Sequence, residues 1–527
     1  MTNEELAFQV IQEAVTFGVR EFCLCPGARN SPFLTLLESN SQLKIYYWFE
    51  ERSAAFFALG RSKITNLPVA VIVTSGTATG ELLPAVMEAH YTHVPLVLIT
   101  ADRPLRFRGS GAPQAAEQVG LFGVYVQECQ DVTPETQCDL TCCSHQQPVH
   151  INVCLEEPKP QITLLKPILC EDQIPRMNYE TAFNPHCPEL DRFLDNVNYP
   201  FVVVSAVRRE AMEAIAQFLV RLGAPAFLEG VSGLREDARL QHLRIASTDK
   251  LWEKSKQSGY LIDGMLRIGG IPTFRLWRDL EEKQGVVEVC SISELPFSGL
   301  SRGEVIHVPL GDFFKRCSVS KTFDGKVSKG WIQADRDEQK RLKQLYEAEP
   351  RAEPSLIREL SQKIPKKAFV FLGNSLPIRE WDQAATSEQR LYSVSANRGL
   401  NGIDGQISTF LGMCVTGQSN WAILGDLTTL YDMAAPWILP QLKGIKVNLV
   451  VMNNGGGKIF SRMFEAKTFQ HNHDLGFEPL AKMWGLEYQR VEDVGLLEAG
   501  IAGSGNNRLI EIVPCNEATE RFWMAQA

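Results

Sequence analysis

No run among the 527 residues approaches the roughly 20 apolar positions that a membrane span needs. The opening Met1-Thr2-Asn3-Glu4-Glu5-Leu6 carries acid where a secretory signal carries base. A cytoplasmic protein is therefore expected. A basic excess is lacking too: 53 Lys and Arg against 62 Asp and Glu leave a formal charge of -9, which is no footprint for nucleic acid or an anionic membrane. Local basic clusters can still collect small anionic substrates. There is no short-period repeat or low-complexity tract, and 44% hydrophobic with 22% charged residues excludes disorder and coiled coil. The 13 cysteines, from Cys23 to Cys515, form no disulfide framework by number or spacing. Their one suggestive cluster, Cys138, Cys142, Cys143 and His145, lacks a CxxC knuckle and a second ligand pair, so these residues read as reduced core or surface groups. Two nucleotide signatures are missing as well. No G-x-G-x-x-G follows the first strand, and the Gly457-Lys458 pair has Met452 and Ile459 where a P-loop needs Gly and Ser or Thr.

What is present is an alternation. Apolar or β-branched runs at Phe22–Cys25, Val69–Val73, Leu96–Ile99, Val149–Val153, Phe201–Val204, Phe369–Leu372, Trp421–Leu424 and Val447–Met452 read as buried parallel strands. Segments such as Glu4–Phe17, Arg52–Ser62 and Gly80–His90 have helical length and spacing between them. The class is α/β. A Pro-containing stretch from Glu157 to Pro185 and a charged one from Arg336 to Pro354 divide the chain into 1–185, 186–350 and 351–527. Each part suits a doubly wound, mainly parallel sheet.

The chemistry concentrates near the C-terminus. Leu424-Gly425-Asp426-Leu427 ends one predicted strand, and Met452-Asn453-Asn454-Gly455-Gly456-Gly457 ends the next, with Asp426 and Asn454 28 residues apart. A carboxylate, an amide oxygen and the Gly456 carbonyl at one sheet edge are hard oxygen ligands. They suit Mg²⁺, or Mn²⁺, carrying a diphosphate, and the glycines let backbone approach it. Either turn alone is ordinary turn chemistry; the pair at this spacing is more informative.

Asp426 with Asn454-Gly455-Gly456 resembles the cofactor motif of thiamine diphosphate enzymes. Phe49-Glu50-Glu51-Arg52, Thr74-Ser75-Gly76-Thr77-Ala78 and Leu98-Ile99-Thr100-Ala101-Asp102-Arg103-Pro104 resemble the pyrimidine-binding domain of that superfamily. One family within it is similar over further segments: Cys25-Pro26-Gly27-Ala28-Arg29-Asn30-Ser31-Pro32, Gly111-Ala112-Pro113-Gln114, Gly373-Asn374-Ser375, Asn397-Arg398-Gly399 with Gly402-Ile403-Asp404-Gly405, and Gly457-Lys458-Ile459-Phe460-Ser461. That family is 2-succinyl-5-enolpyruvyl-6-hydroxy-3-cyclohexene-1-carboxylate synthase of menaquinone biosynthesis. The resemblance covers both outer domains well and the middle weakly.

The resemblance implies a pyrimidine-binding, a central and a diphosphate-binding domain, and a transferase joining 2-oxoglutarate, after loss of CO₂, to isochorismate. Glu51 would share a proton with the cofactor's aminopyrimidine, a task that burial assists by disfavouring the bare carboxylate. Ser75, Gly76, Ile403, Gly425, Asp426, Leu427, Asn454 and Gly456 would hold the cofactor, Ile403 as its apolar support, and Asp426, Asn454 and Gly456 the metal. Arginine binds carboxylates bidentately, which fits two polyanionic substrates. Ser375, Arg379 and Arg398 would take the distal carboxylate of the 2-oxoglutarate unit. Arg29, Arg103 and Gln114 would face isochorismate, and Ile459, Phe460 and Met463 would line the wall. The family's usual residues are replaced by Ala28, Pro113 and Phe274, with Arg275 supplying the charge of the family's lysine. These departures fall on the acceptor side, leaving open another thiamine-dependent 2-oxo acid decarboxylase or carboligase of acetolactate synthase type, or a non-catalytic relative. The superfamily builds its site from two chains, which implies a homodimer or homotetramer.

Overall fold

The computed structural model describes residues 1–158, 167–170, 187–461, 463–464, 466–501 and 505–526. The division expected near 185 lies outside them. Among the described residues the strands form three wholly parallel sheets. The first has the order β2-β1-β3-β4-β6-β5, from β1 (Glu21–Leu24), β2 (Lys44–Tyr47), β3 (Val69–Val73), β4 (Leu96–Asp102), β5 (Glu128–Val132) and β6 (Val149–Cys154). The second is β11-β10-β9-β7-β8, from β7 (Pro200–Val204), β8 (Ala226–Leu228), β9 (Gly264–Ile268), β10 (Glu288–Ser293) and β11 (Glu304–His307). The third is β13-β12-β14-β15-β17-β16, from β12 (Phe369–Leu372), β13 (Ser393–Ser395), β14 (Asn420–Gly425), β15 (Val447–Met452), β16 (Glu487–Val491) and β17 (Arg508–Ile512).

The α/β class is as the sequence predicts, and the sheet orders add what it does not. The first and third sheets have the same order, and the central one follows it but stops a strand short. In each, the second strand is laid on one side of the first and the third on the other. Such a reversal opens a crevice at the strands' carboxyl ends, where open α/β sheets bind ligands. In the first sheet it lies between β1 and β3, above Cys25-Pro26-Gly27 and Thr74-Ser75-Gly76. In the third it lies between β12 and β14, above Gly373-Asn374-Ser375 and Asp426.

By packing, the chain divides into two compact units. One comprises Met1–Asn178, Asn397–Gly417 and Thr428–Ile445; the other comprises Tyr179–Ala396, Gln418–Leu427 and Lys446–Ala527. In the first unit the helix Gln406–Met413 crosses the helix Glu51–Thr65 at glycines. In the second, the Asp382 carboxylate accepts from Gly230 N–H at 2.6 Å, and Arg235 donates to the carbonyls of Ala385 and Thr386, each at 2.7 Å. These contacts fasten the loop after β8 to the end of the helix Leu376–Ala384.

Two expectations need correction. Gly80–His90 is not one helix but the ends of two, Thr77–Gly80 and Leu83–Thr92. Pro84 lies in the first turn of the second, where its missing N–H and fixed φ are tolerated; further inside it would break a helical hydrogen bond. Leu96–Ile99 continues to Asp102, so Thr100 and Asp102 are buried. No helix among the described residues is long and apolar enough to cross a membrane.

The extension of β4 matters because it meets a buried histidine. His150 on β6 has Nε2 2.7 Å from Thr100 Oγ1 and Nδ1 3.2 Å from Cys129 Sγ. Burial pushes its pKa down to about 4 from an ordinary 6.5. The unfolded chain therefore binds a proton that the folded one refuses, and stability is lost as pH falls from 6.5 towards 4. The loss attributable to this residue reaches roughly 3 kcal/mol. Urea unfolding at pH 7 and pH 5 is expected to show the drop in the parent and a smaller one in His150→Gln; equal drops would show that His150 is not its source.

Candidate active site

In the first unit, the loop after β1 is tied by Asn30, whose Oδ1 accepts from Gly27 N–H at 2.8 Å and whose Nδ2 donates to Cys25 O at 2.9 Å. A Cβ on Gly27 would lie 2.6 Å from Thr74 Cβ, so the loops following β1 and β3 meet only because Gly stands there. Gly76 has φ +91°, the left-handed region where glycine is favoured, and its N–H donates to Gln118 Oε1 at 2.8 Å. Gln118 Nε2 in turn donates to Asn152 Oδ1 at 2.9 Å, and Asn152 Nδ2 to Asp102 Oδ2 at 3.1 Å. One buried polar chain thus joins the Ser75-Gly76 turn to the strand end that carries Arg103. No pattern in the sequence marks Gln118 for this role.

Glu51 opens the helix Glu51–Thr65, which Glu50 caps by accepting from Ser53 N–H at 2.8 Å. Burial raises the Glu51 pKa above the usual carboxylate range, its own backbone N–H opposes this, and Glu50 and Glu81 add to the rise. Cys25 lies close enough for Glu51 to raise its thiol pKa further, after burial has done most of it. Ser75 is buried.

The arginines of this unit already have partners. Arg29, 7% exposed, donates to Leu155 O at 3.1 Å and to Glu157 Oε2 at 2.8 Å. Arg103 donates through Nε to Pro113 O at 2.7 Å, so the residue that removes a family side-chain amide supplies a carbonyl instead. Gln114 is exposed with φ +57°, and its Cα lies 3.2 Å from where a Cβ on Gly76 would stand. Arg398 is buried beside Gly399 and Leu400, whose N–H groups donate to the two carboxylate oxygens of Glu88 at 2.8 and 2.9 Å. Lys63 Nζ donates to Asn397 Oδ1 at 2.9 Å. The carboxylate of Glu88, itself buried, holds the turn that leads to half-buried Ile403.

In the second unit, Asp426 follows β14 and is 3% exposed. Its Oδ1 accepts from Leu427 N–H at 2.6 Å and its Oδ2 from Gly456 N–H at 2.8 Å. Burial raises its pKa, and these backbone donors with His473 oppose the rise. Leu475 N–H donates to His473 Nδ1 at 3.2 Å, and His473 Nε2 lies 3.3 Å from Asp426 Oδ2. Asn454 is buried, and its Nδ2 donates to both Glu353 oxygens at 3.1 and 3.0 Å, while its Oδ1 has no partner among the described residues. Gly456 has φ +135°, and a Cβ there would lie 2.4 Å from Gln470 O. A carboxylate, an orphaned amide oxygen and close-packed glycine backbone fit a Mg²⁺-diphosphate. Gly425 and Leu427 flank Asp426, both partly exposed.

Glu353 and Glu380 form a buried carboxyl pair behind Asn454. Burial pushes Glu353 up to about 7 and Glu380 well above the usual range, the charge of Glu353 beside it adding to the rise. The sequence reading missed both: an acid at a helix start, as Glu353 is, ordinarily answers the helix dipole, and Glu380 is one acid within a short helix. Ser375 adopts φ +71° at the start of the helix Leu376–Ala384. Arg379, exposed, donates to Ser375 O, and its Nη2 lies 3.5 Å from Thr273 O. Arg275 is 72% exposed and pairs with Asp279 at 3.2 Å, while Phe274 packs on Phe227. Ile459 and Phe460 are half-buried and Met463 is exposed. Cys143 donates to Glu128 at 3.3 Å and His145 packs edge-on against Phe17.

Residues 4–121 match the thiamine pyrophosphate enzyme N-terminal TPP binding domain. A 2-succinyl-5-enolpyruvyl-6-hydroxy-3-cyclohexene-1-carboxylate synthase of Bdellovibrio bacteriovorus is 42% identical, over 99% of this chain and 98% of its own. The enzyme of that name from Akkermansia muciniphila is 38% identical, over 96% and 95%. A solved Mycobacterium smegmatis structure, of a protein named for a thiamin diphosphate dependence, covers 98% of this chain and 99% of its own with a TM-score of 0.69. At 15% identity it speaks to the fold alone.

Proposed function

The chain belongs to the 2-succinyl-5-enolpyruvyl-6-hydroxy-3-cyclohexene-1-carboxylate synthase family, and from that membership we propose how its residues divide the work of a thiamine diphosphate-dependent transferase of menaquinone biosynthesis. The reaction decarboxylates 2-oxoglutarate and adds the succinyl unit to isochorismate. Identity over nearly the whole chain is the observation that carries this reading. Thiamine diphosphate, when bound, supplies the carbanion-stabilising chemistry that lets a 2-oxo acid lose CO₂.

The protein's part is to bind, orient and move protons. Asp426, Asn454 and the Gly456 carbonyl would hold the divalent cation that accompanies the diphosphate; Gly425 and Leu427 frame that turn. Ser75 and Gly76 would receive the pyrimidine end, Ile403 would support the cofactor, and Glu51 would hold the proton that the aminopyrimidine needs. Ser375, Arg379 and Arg398 bind the distal carboxylate of 2-oxoglutarate. Arg29, Arg103, Gln114 and Arg275 receive isochorismate, with Ile459, Phe460 and Met463 as wall. The Glu157 carboxylate on Arg29 supports the isochorismate assignment, since it occupies the guanidinium as a substrate carboxylate would. We assign 1–185 to the pyrimidine-binding domain, 186–350 to the central one and 351–527 to the diphosphate-binding one, in a cytoplasmic homodimer or homotetramer.

Purified protein with thiamine diphosphate, Mg²⁺ and 2-oxoglutarate is expected to consume isochorismate and yield the succinylated product. CO₂ release without isochorismate consumption would keep the thiamine chemistry and reject the acceptor. Neither event would reject the function.

A further inference from the structure

We propose that Glu353 is a positioning residue, fixing the Asn454 amide so that its Oδ1 is presented to the divalent cation. The inference rests on the assignment of that cation to Asp426, Asn454 and Gly456. Glu353 is the first residue of the helix Glu353–Lys363 and only 2% exposed, so its carboxyl is aimed into the protein. Both its oxygens receive the Asn454 Nδ2. A carboxylate has only acceptors to offer, so the amide nitrogen must turn to it and the amide oxygen away. That oxygen is buried and meets no donor among the described residues. Native folds leave so few buried acceptors empty that an orphan opposite a fixed amide nitrogen points to a ligand on its free side.

A second buried carboxyl lies beside that of Glu353. It belongs to Glu380, 3% exposed, on the helix that begins just after Ser375. The order Glu380, Glu353, Asn454 thus runs from the helix of the proposed 2-oxo acid subsite to the cation turn. No member of it besides Asn454 touches cation or substrate in this assignment. A purely structural Glu353 would need only to be buried and paired; a positioning one needs to be an acceptor on the Asn454 side.

That difference is testable by exchanging the two groups. Mn²⁺ binding to the full-length protein with thiamine diphosphate is followed by the electron paramagnetic resonance of free Mn²⁺. In Glu353→Gln either end of the new amide can face Asn454, and binding is expected to weaken about 10- to 100-fold, the usual effect of losing a ligand's orienting partner. In Asn454→Asp two carboxylates face each other, and binding is expected to weaken at least as much. The double variant, Glu353→Gln with Asn454→Asp, restores a donor-acceptor pair with the roles reversed, the amide now donating from the helix to the carboxylate on the cation turn. Its binding is expected to return to within about threefold of the parent. Recovery in the exchange is the readout a merely structural role would not give.

Parental binding in Glu353→Gln, or no recovery in the double variant, overturns the proposal while leaving the cation assignment standing. Failure of the parent itself to bind Mn²⁺ overturns both. Circular dichroism checks folding; if Glu353→Gln is unfolded, Glu353→Asp, an acceptor withdrawn by one methylene, is read in its place, and parental affinity there overturns the proposal.

Discussion

Glu51→Gln is expected to lower turnover by about 10²- to 10⁴-fold, the range that a positioned proton-transfer group contributes, while cofactor affinity stays within a few-fold of the parent. The replacement keeps the shape and hydrogen-bonding capacity of the side chain and removes only its exchangeable proton. Position favours that role. Glu51 stands at the start of a helix, half out of water, where burial and the neighbouring Glu50 and Glu81 raise its pKa. A carboxyl so placed keeps its proton at a higher pH than an exposed glutamate, which brings it nearer the working pH of a group that must both give and take one. The neighbouring Glu50 lacks the same freedom, because its carboxylate is committed to the Ser53 N–H as helix cap. The check is to measure isochorismate consumption alongside thiamine diphosphate binding by titration calorimetry. Parental turnover in Glu51→Gln would refute the role, and loss of binding would make Glu51 a cofactor anchor instead.

Asp426 was legible in the sequence for the same reason that Val69–Val73, Phe369–Leu372 and Val447–Met452 were, whereas Glu51, which follows the partly exposed edge strand β2, was found only through the family resemblance of its segment. A strand buried on both faces reads as a continuous apolar run, and the groups that matter stand at or just beyond its carboxyl end. Strands with polar faces are harder. β5, Glu-Cys-Gln-Asp-Val, and β16, Glu-Tyr-Gln-Arg-Val, lie at sheet edges and carry neither a continuous run nor a clean alternation, so nothing in their composition marks them. Partners distant in sequence are harder still. Glu353 acquires its meaning only from Asn454, 101 residues away, and Glu88 from Gly399 and Leu400, more than 300 residues on. Each of these acids alone reads as ordinary helix decoration, because the tertiary contact that gives it a job leaves no local pattern.

Glycine at the crossing of two helices is the same problem seen through sterics, and it carries a large expected effect of a single substitution on stability. Gly60 lies inside the helix Glu51–Thr65 and Gly412 near the end of the helix Gln406–Met413. Propensity alone says that replacing a helical glycine with alanine stabilises by about 1 kcal/mol. A Cβ on Gly412 would sit 2.2 Å from Phe57 O, 2.9 Å from Arg61 N and 3.0 Å from Gly60 Cα, all backbone atoms that cannot rotate aside. The approach is matched from the other side, where a Cβ on Gly60 would lie 2.1 Å from Thr409 O. Separating two packed helices enough to admit a methyl group belongs at or above the upper end of overpacking, about 3 kcal/mol, so the clash outweighs the propensity gain. Gly412→Ala is therefore expected to lower the unfolding free energy by about 2 kcal/mol or more. Gly330→Ala is the control: this exposed helical glycine has only Ser258 O, at an ordinary 3.5 Å, near its missing Cβ. It is expected to leave stability unchanged or raise it by up to about 1 kcal/mol. Urea unfolding of both variants decides the matter, and equal effects would mean that the crossing yields. Because the same helix begins with Glu51, a Gly412→Ala protein that still folds is expected to lose turnover as well, by displacing that carboxyl from its position.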